Sequence, residues 1–145
     1  MAEAFGVAAS ALAIVELSAK IISQCLQYSR DVRHAKNDIA RVEKEVTNLS
    51  TVMKRLHDLL DSPHGIRLQT FQEVRDALED GRSQLGSLHD KLIPGKGRQA
   101  MRQFGLRALK WPFDSKEVEK ILQELARCMQ PVTTALQIDQ TWVTP

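Results

Sequence analysis

The sequence is poor in the residues that interrupt regular structure or cross-link small folds. Its 145 residues include only 7 glycines, 5 prolines and 2 cysteines, and aromatic residues make up 5% of the chain. Few glycines and prolines argue against frequent tight turns, and few aromatics argue against a β-sandwich or barrel. Two cysteines are also too few for a disulfide scaffold. We therefore expect Cys25 and Cys128, which both fall in apolar helical patterns, to be buried thiols in a reducing compartment.

A dominant charge and a long uncharged apolar segment are also missing. The net charge of +2 creates no whole-protein field that would point to nucleic acid. No segment reaches the ~18 uncharged apolar residues typical of a transmembrane helix. The nearest is the run Ala4–Val15, which follows Glu3 rather than the basic residues that open a secretory signal. These features predict a cytoplasmic protein without a cleaved signal.

Apolar residues recur with helical periodicity throughout the chain. They make up 43% of it, and leucine and alanine, both good helix formers, dominate. The periodicity predicts four long helices over about 3–30, 37–61 and 68–93 and from Asp114 onwards, with a short amphipathic helix between Met101 and Trp111. The predicted fold class is all-α: one domain over 1–145, a helical bundle of four long helices plus one short amphipathic helix. Residues 94–113 form a basic connecting segment within it.

Single residues predict details of this bundle. Asp114 and Glu117 have the spacing of a helix N-cap, and Gly81 interrupts an apolar row where a second helix can approach closely. Pro131 lies inside the last apolar pattern and is expected to kink the helix or end its regular part. The first helix is apolar on most of its circumference, so we expect it to pack among the others. Replacing Leu12 or Ile14 with Asp should then unfold the domain.

No arrangement of residues favours catalysis. The four histidines do not form the paired spacing of a zinc protease helix, and the sequence contains no CxxC pair, phosphate loop or nucleophile elbow. The sequence therefore predicts a protein that is not an enzyme and that has no catalytic residue, no cofactor and no metal site.

Two other features indicate function. The apolar run Ala4–Val15 suits a central bundle helix, but it could also be released and inserted into lipid, where its small residues would allow close helix packing. Between Pro94 and Phe113 there is no acidic residue, and the basic residues are Lys96, Arg98, Arg102, Arg107 and Lys110. Such a cluster suits either a solvated linker or a contact with anionic lipid. An RNA contact is a further alternative, although no RNA-binding motif accompanies the charge.

The opening run Ala4–Val15 is similar to the starts of N-terminal domains on fungal NOD-like receptors. The stretch Leu109-Lys110-Trp111-Pro112-Phe113, followed by Lys116-Glu117-Val118 and Ile121-Leu122, looks like their characteristic segment before the last helix. The heptad helix with Asp38-Ile39 and Leu49 also fits. Together these features resemble the HeLo-like and SesA group over nearly the whole chain, with kinship to the four-helix bundle of the necroptosis pseudokinase MLKL and to plant receptor coiled-coil domains.

This resemblance implies a cell-death effector or signalling domain in heterokaryon incompatibility and innate immunity, placed before a nucleotide-binding receptor domain in the full-length protein. On activation it would self-associate, move from the cytoplasm to the plasma membrane and permeabilise it through its first helix. The candidate membrane-inserting residues are Ala4, Phe5, Val7, Leu12, Ile14 and Val15. Glu3 and Glu16 are candidates for lining an ion path, and the five basic residues are candidates for contacting anionic lipids. The alternatives are a non-lytic adaptor that signals by homotypic helix contacts and, more distantly, a small RNA-binding helical protein; nucleic acid is not among the expected partners.

Overall fold

The computed structural model describes residues 2–32, 34–61, 71–93 and 111–143. These residues form four helices and contain no strand: α1 (Ala2–Asp31), α2 (Lys36–Asp61), α3 (Phe71–Leu92) and α4 (Ser115–Val143). The prediction of an all-α fold with four long helices is confirmed. The predicted short amphipathic helix lies outside the described residues, apart from its last position, Trp111.

Each helix lies beside two of the other three. α1 packs against α2 and α3, and α4 packs against the same two helices, so α1 and α4 occupy opposite corners of the bundle. Tyr28, near the end of α1, hydrogen-bonds to Leu92 at the end of α3. Arg41, near the start of α2, pairs with Glu119 near the start of α4. Successive helices therefore alternate in direction.

The apolar rows predicted from the sequence meet in one core. On α2 six members of the row are at most 1% exposed: Ile39, Val42, Val46, Leu49, Met53 and Leu56. Leu60, the last predicted member, is half-buried against the core. The rows of α3 and α4 are buried against it through Val74, Leu78, Leu85, Leu88, Leu92, Val118, Leu125, Val132 and Leu136. Because each fully buried aliphatic side chain contributes about 1.5–3 kcal/mol, these rows supply most of the force that holds the helices together.

The predicted details at Asp114 and Gly81 are confirmed. The Asp114 carboxylate accepts a hydrogen bond of 2.8 Å from the backbone N–H of Glu117, and α4 begins at the next residue, Ser115. A Cβ added at Gly81 would lie 3.8 Å from Cys128 Cβ and 3.9 Å from Ile14 Cδ1. Residue 81 therefore lies where α1, α3 and α4 come together.

Two expectations about helix geometry need correction. Of the two expectations for Pro131, the end of the last helix is contradicted, because α4 continues to Val143 with the proline inside it; the kink stays a prediction. α1 is covered on one side only: among the described residues it packs against α2 and α3 and lies diagonally across the bundle from α4. Leu12 lies on the side that is turned away from these helices and is 46% exposed, while Ile14 is fully buried. The expectation that a charge at Leu12 would unfold the domain was therefore wrong, and it stands only for Ile14.

Candidate functional site

The solvent-facing side of α1 combines polar residues with exposed apolar ones. Its exposed residues, here called the outer face, are Gly6, Ala9, Leu12, Glu16, Ala19, Lys20, Ser23, Leu26, Gln27 and Arg30. Leu12 and Leu26 are two of the three large apolar side chains most exposed among the described residues, at 46% and 47%. The helix therefore presents apolar surface both to the core and to solvent.

By length and composition, α1 could cross a membrane. Gly6–Asp31 contains an 18-residue window of mean hydropathy 1.6 with at most two charged residues. From the sequence, no segment was expected to span a membrane. A core helix of a soluble bundle or a signal sequence meets the same criteria. The buried share of this window is 28%, which is close to that of α2 and α3, so burial does not distinguish these possibilities.

The buried side of α1, here called the inner face, contains a buried hydroxyl group without a hydrogen-bond partner. Its members are Val7, Ala11, Ile14, Ser18, Ile21, Cys25 and Tyr28. The Ser18 hydroxyl is fully buried and its Oγ has no hydrogen-bond partner. A buried hydroxyl without a partner costs about 1–3 kcal/mol, so Ser18 weakens the attachment of α1 to the bundle.

A polar contact and an aromatic cluster hold the other end of α1. The Tyr28 hydroxyl donates a buried 2.6 Å hydrogen bond to the backbone carbonyl of Leu92, one of the carbonyls that the end of α3 leaves without an intrahelical partner. The Tyr28 ring packs edge-on against Trp111, with centroids 5.4 Å apart, and Trp111 packs edge-on against Phe113 at 5.2 Å. The Trp-Pro-Phe segment therefore anchors the start of α4 against α1.

The structure separates the predicted membrane-inserting residues. Val7 and Ile14 belong to the inner face, Leu12 to the outer face, and Val15 is half-buried between them. Ala4 and Phe5 lie in α1, but their side chains are outside the described residues. The candidates are therefore spread around α1, and no single face of the resting bundle displays them.

The structure describes the side chains of only some of the charged candidate residues. Glu16 is exposed on the outer face, and among the described side chains it forms no ion pair with Lys20. Glu3 lies in the first turn of α1, where its side chain is not described. The basic candidates are all outside the described residues: Lys96, Arg98, Arg102, Arg107 and Lys110.

Both cysteines are buried free thiols, as the sequence predicted. Burial raises the pKa of Cys25 to about 12, and the Glu43 carboxylate adds to this shift. Burial also raises the pKa of Cys128 to about 12, helped by Asp80, whose carboxylate accepts a 3.0 Å hydrogen bond from Sγ. Because the thiolate is the reactive form, neither cysteine is a nucleophile at neutral pH.

Within the described ranges, no group of three or more His, Cys, Asp or Glu side chains comes close enough together to hold a metal ion. Comparisons with known protein families, characterised proteins and solved structures give no match. Fold and site therefore define a structural class: a four-helix bundle whose first helix is long and apolar enough to cross a membrane and exposes Leu12 and Leu26 to solvent.

Proposed function

We propose that this chain is the N-terminal cell-death effector domain of a fungal NOD-like receptor, of the HeLo-like and SesA group. Clustering of the receptor would release α1 from the bundle, and the released helices would permeabilise the plasma membrane. The observation that supports this proposal best is the composition of α1, which is long and apolar enough to cross a membrane and exposes two leucines to solvent.

The bundle geometry allows α1 to leave as a unit. α4 touches both α2 and α3, so these three helices stay connected when α1 departs. The apolar side chains of the inner face would exchange the core for lipid tails, two environments of similar polarity. Release of α1 breaks its packing against the bundle and the Tyr28–Leu92 hydrogen bond.

Clustering is required because a single inserted α1 would be unfavourable. A lone helix would place Glu16 near hydrocarbon, at a cost of about 2.5–3.5 kcal/mol for a carboxylate at the centre of the bilayer. In an oligomer Glu16 would turn towards a shared water-filled path, while Glu3, in the first turn of α1, would lie near the end of the inserted helix. Small residues such as Ala9 and Ala19 would let neighbouring helices pack closely.

Two conservative changes on the inner face test release directly. Ser18→Ala removes an unpaired buried hydroxyl and should stabilise the bundle by about 1 kcal/mol. Tyr28→Phe leaves the Leu92 carbonyl unpaired and should destabilise it by about 1–3 kcal/mol. If release of α1 limits activity, leakage from vesicles should fall about fivefold in the first variant and rise at least fivefold in the second.

These two variants control for each other, because both make α1 more apolar. A simple gain in lipid affinity would raise leakage in both, whereas release predicts opposite changes. Melting temperatures that shift as expected while leakage moves in the same direction, or does not move, would contradict the release step.

The basic residues should provide lipid selectivity. Changing Arg98, Arg102 and Arg107 together to Gln should leave helicity and melting temperature nearly unchanged. Vesicle-binding assays should show about a 100-fold loss of affinity for anionic vesicles, since each cationic residue near such a surface contributes about 1 kcal/mol. Added salt should produce the same loss by screening.

The matched control replaces three exposed cationic residues of α2, Lys44, Lys54 and Arg55, with Gln. This change removes the same charge from another surface, so it should affect binding much less. Equal losses in the two triple variants would show that net charge, and not the basic segment, governs binding.

The exposed Leu12 and Leu26 side chains also favour the second candidate, a non-lytic adaptor that signals through helix contacts. Leakage distinguishes the two functions. Clustered adaptor domains would leave both anionic and neutral vesicles intact, whereas clustered effector domains would release the contents of the anionic ones.

A further inference from the structure

The outer face of α1 has the pattern of a helix–helix seam. The exposed positions 9, 12, 16, 19, 23, 26 and 30 follow one another at alternating spacings of three and four. This spacing places residues in a row that faces a partner helix in a coiled coil. Within the described residues, neither α2 nor α3 covers this row, and α4 does not contact α1.

The row is complementary to itself when two copies run antiparallel. Aligning Leu12 with Ser23 of a second copy also aligns Leu26 with Ala9, and each leucine then meets a small residue. Glu16 is placed opposite Ala19 in the same register. Large side chains opposite small ones let the two helices approach closely along the whole row.

Charge selects the antiparallel direction. In this register Glu16 lies one residue along the axis from Lys20 of the second copy, about 1.5 Å by helix geometry. The pair occurs twice, once on each side of the two-fold axis. A parallel arrangement would instead place Glu16 against Glu16, an unfavourable contact between like charges.

We propose that the outer face of α1 is a self-association surface on which a second copy of this chain docks antiparallel. Leu12 and Leu26 of each copy pack on Ser23 and Ala9 of the other, and Glu16 pairs with Lys20. The contact is confined to one helix face, at the low end of interface sizes, below about 1,200 Å². The dimer is therefore weak, and it forms whether or not α1 enters a membrane.

Charge exchange tests the pairing in solution. Sedimentation velocity over a range of concentrations should show a monomer–dimer equilibrium for the unmodified chain. E16K or K20E should weaken the dimer about tenfold or more, because each sets like charges against each other. The double variant E16K/K20E should return to within about threefold of the unmodified chain.

The matched control, E79K, inverts an exposed charge on α3 and should leave the equilibrium unchanged. All of these positions are exposed, so circular dichroism should show the same fold in each variant. A chain that stays monomeric at millimolar concentration, or a double variant as weak as the single ones, would overturn the proposal.

Cross-linking tests whether the α1 helices of the two copies run antiparallel. Buried Cys25 and Cys128 do not compete, so an introduced thiol can be oxidised selectively. A mixture of L12C and S23C chains should form a covalent heterodimer, while L12C alone should not, because its two copies lie about 16 Å apart along the axis. A covalent L12C homodimer in place of the heterodimer would indicate parallel pairing and contradict the proposal.

Discussion

Replacing Ile14 with Asp is expected to unfold the bundle, whereas the same replacement at Leu12 should leave it folded. Ile14 is fully buried and lies beside Gly81, where α1, α3 and α4 meet. A carboxylate there has no partner, and burying an unpaired charge costs several kcal/mol, a large part of the about 5–15 kcal/mol that stabilise a typical domain. Leu12 is 46% exposed, so its change should alter stability by no more than about 0.5 kcal/mol.

Urea denaturation monitored by circular dichroism measures both effects. The two variants add the same charge to the same helix two residues apart, so only the face of α1 differs between them. Equal losses of stability would contradict the placement of Leu12 on the outer face.

Fusion to an oligomerising partner is expected to switch membrane activity on. At equal chain concentration the fused domain should release vesicle contents at least about tenfold faster than the free domain, because linkage raises the local concentration of α1 far above that in solution. The unfused domain should be nearly silent at low concentration, since a lone α1 carries Glu16 into hydrocarbon without a shared water-filled path.

Fusion to a monomeric partner of the same size provides the matched control for this experiment. It adds the same mass to the domain but does not raise the local concentration of α1, so the domain should stay nearly silent. Leakage equal to that of the oligomerising fusion would show that clustering does not control membrane activity.

The sequence predicted the helices well because their signals are local. The alternating spacing from Ile39 to Leu56 predicted the buried face of α2, and the spacing of Asp114 and Glu117 predicted the cap of α4. The exposure of Leu12 could not be predicted in this way. An apolar residue has the same local pattern whether a neighbouring helix covers it or not, and Leu12 is exposed because it lies on the side of α1 that is turned away from α2 and α3.

The polar features of the inner face could not be predicted from the sequence either. Ser18 was counted only as part of an apolar helix, and nothing in its neighbours indicates a hydroxyl without a partner. The Tyr28–Leu92 hydrogen bond joins residues 64 apart in the chain, so no local pattern predicts it. Trp111 and Phe113 stood out in the sequence, but their packing on Tyr28 depends on the folded bundle.

The depth of α1 in a bilayer tests its insertion most directly. A fluorophore attached to Cys in a Ser10→Cys variant would sit at a half-buried position of α1, about 120° around the helix from Glu16 and so away from the water-filled path. One in an Asn48→Cys variant would sit on an exposed position of α2. Both native thiols are buried, so labelling is confined to the new cysteine. When the fused domain is clustered on anionic vesicles, membrane insertion predicts that quenchers placed deep in the acyl chains dim the label at residue 10 and not the one at residue 48. Leakage without quenching at residue 10 would contradict the insertion of α1.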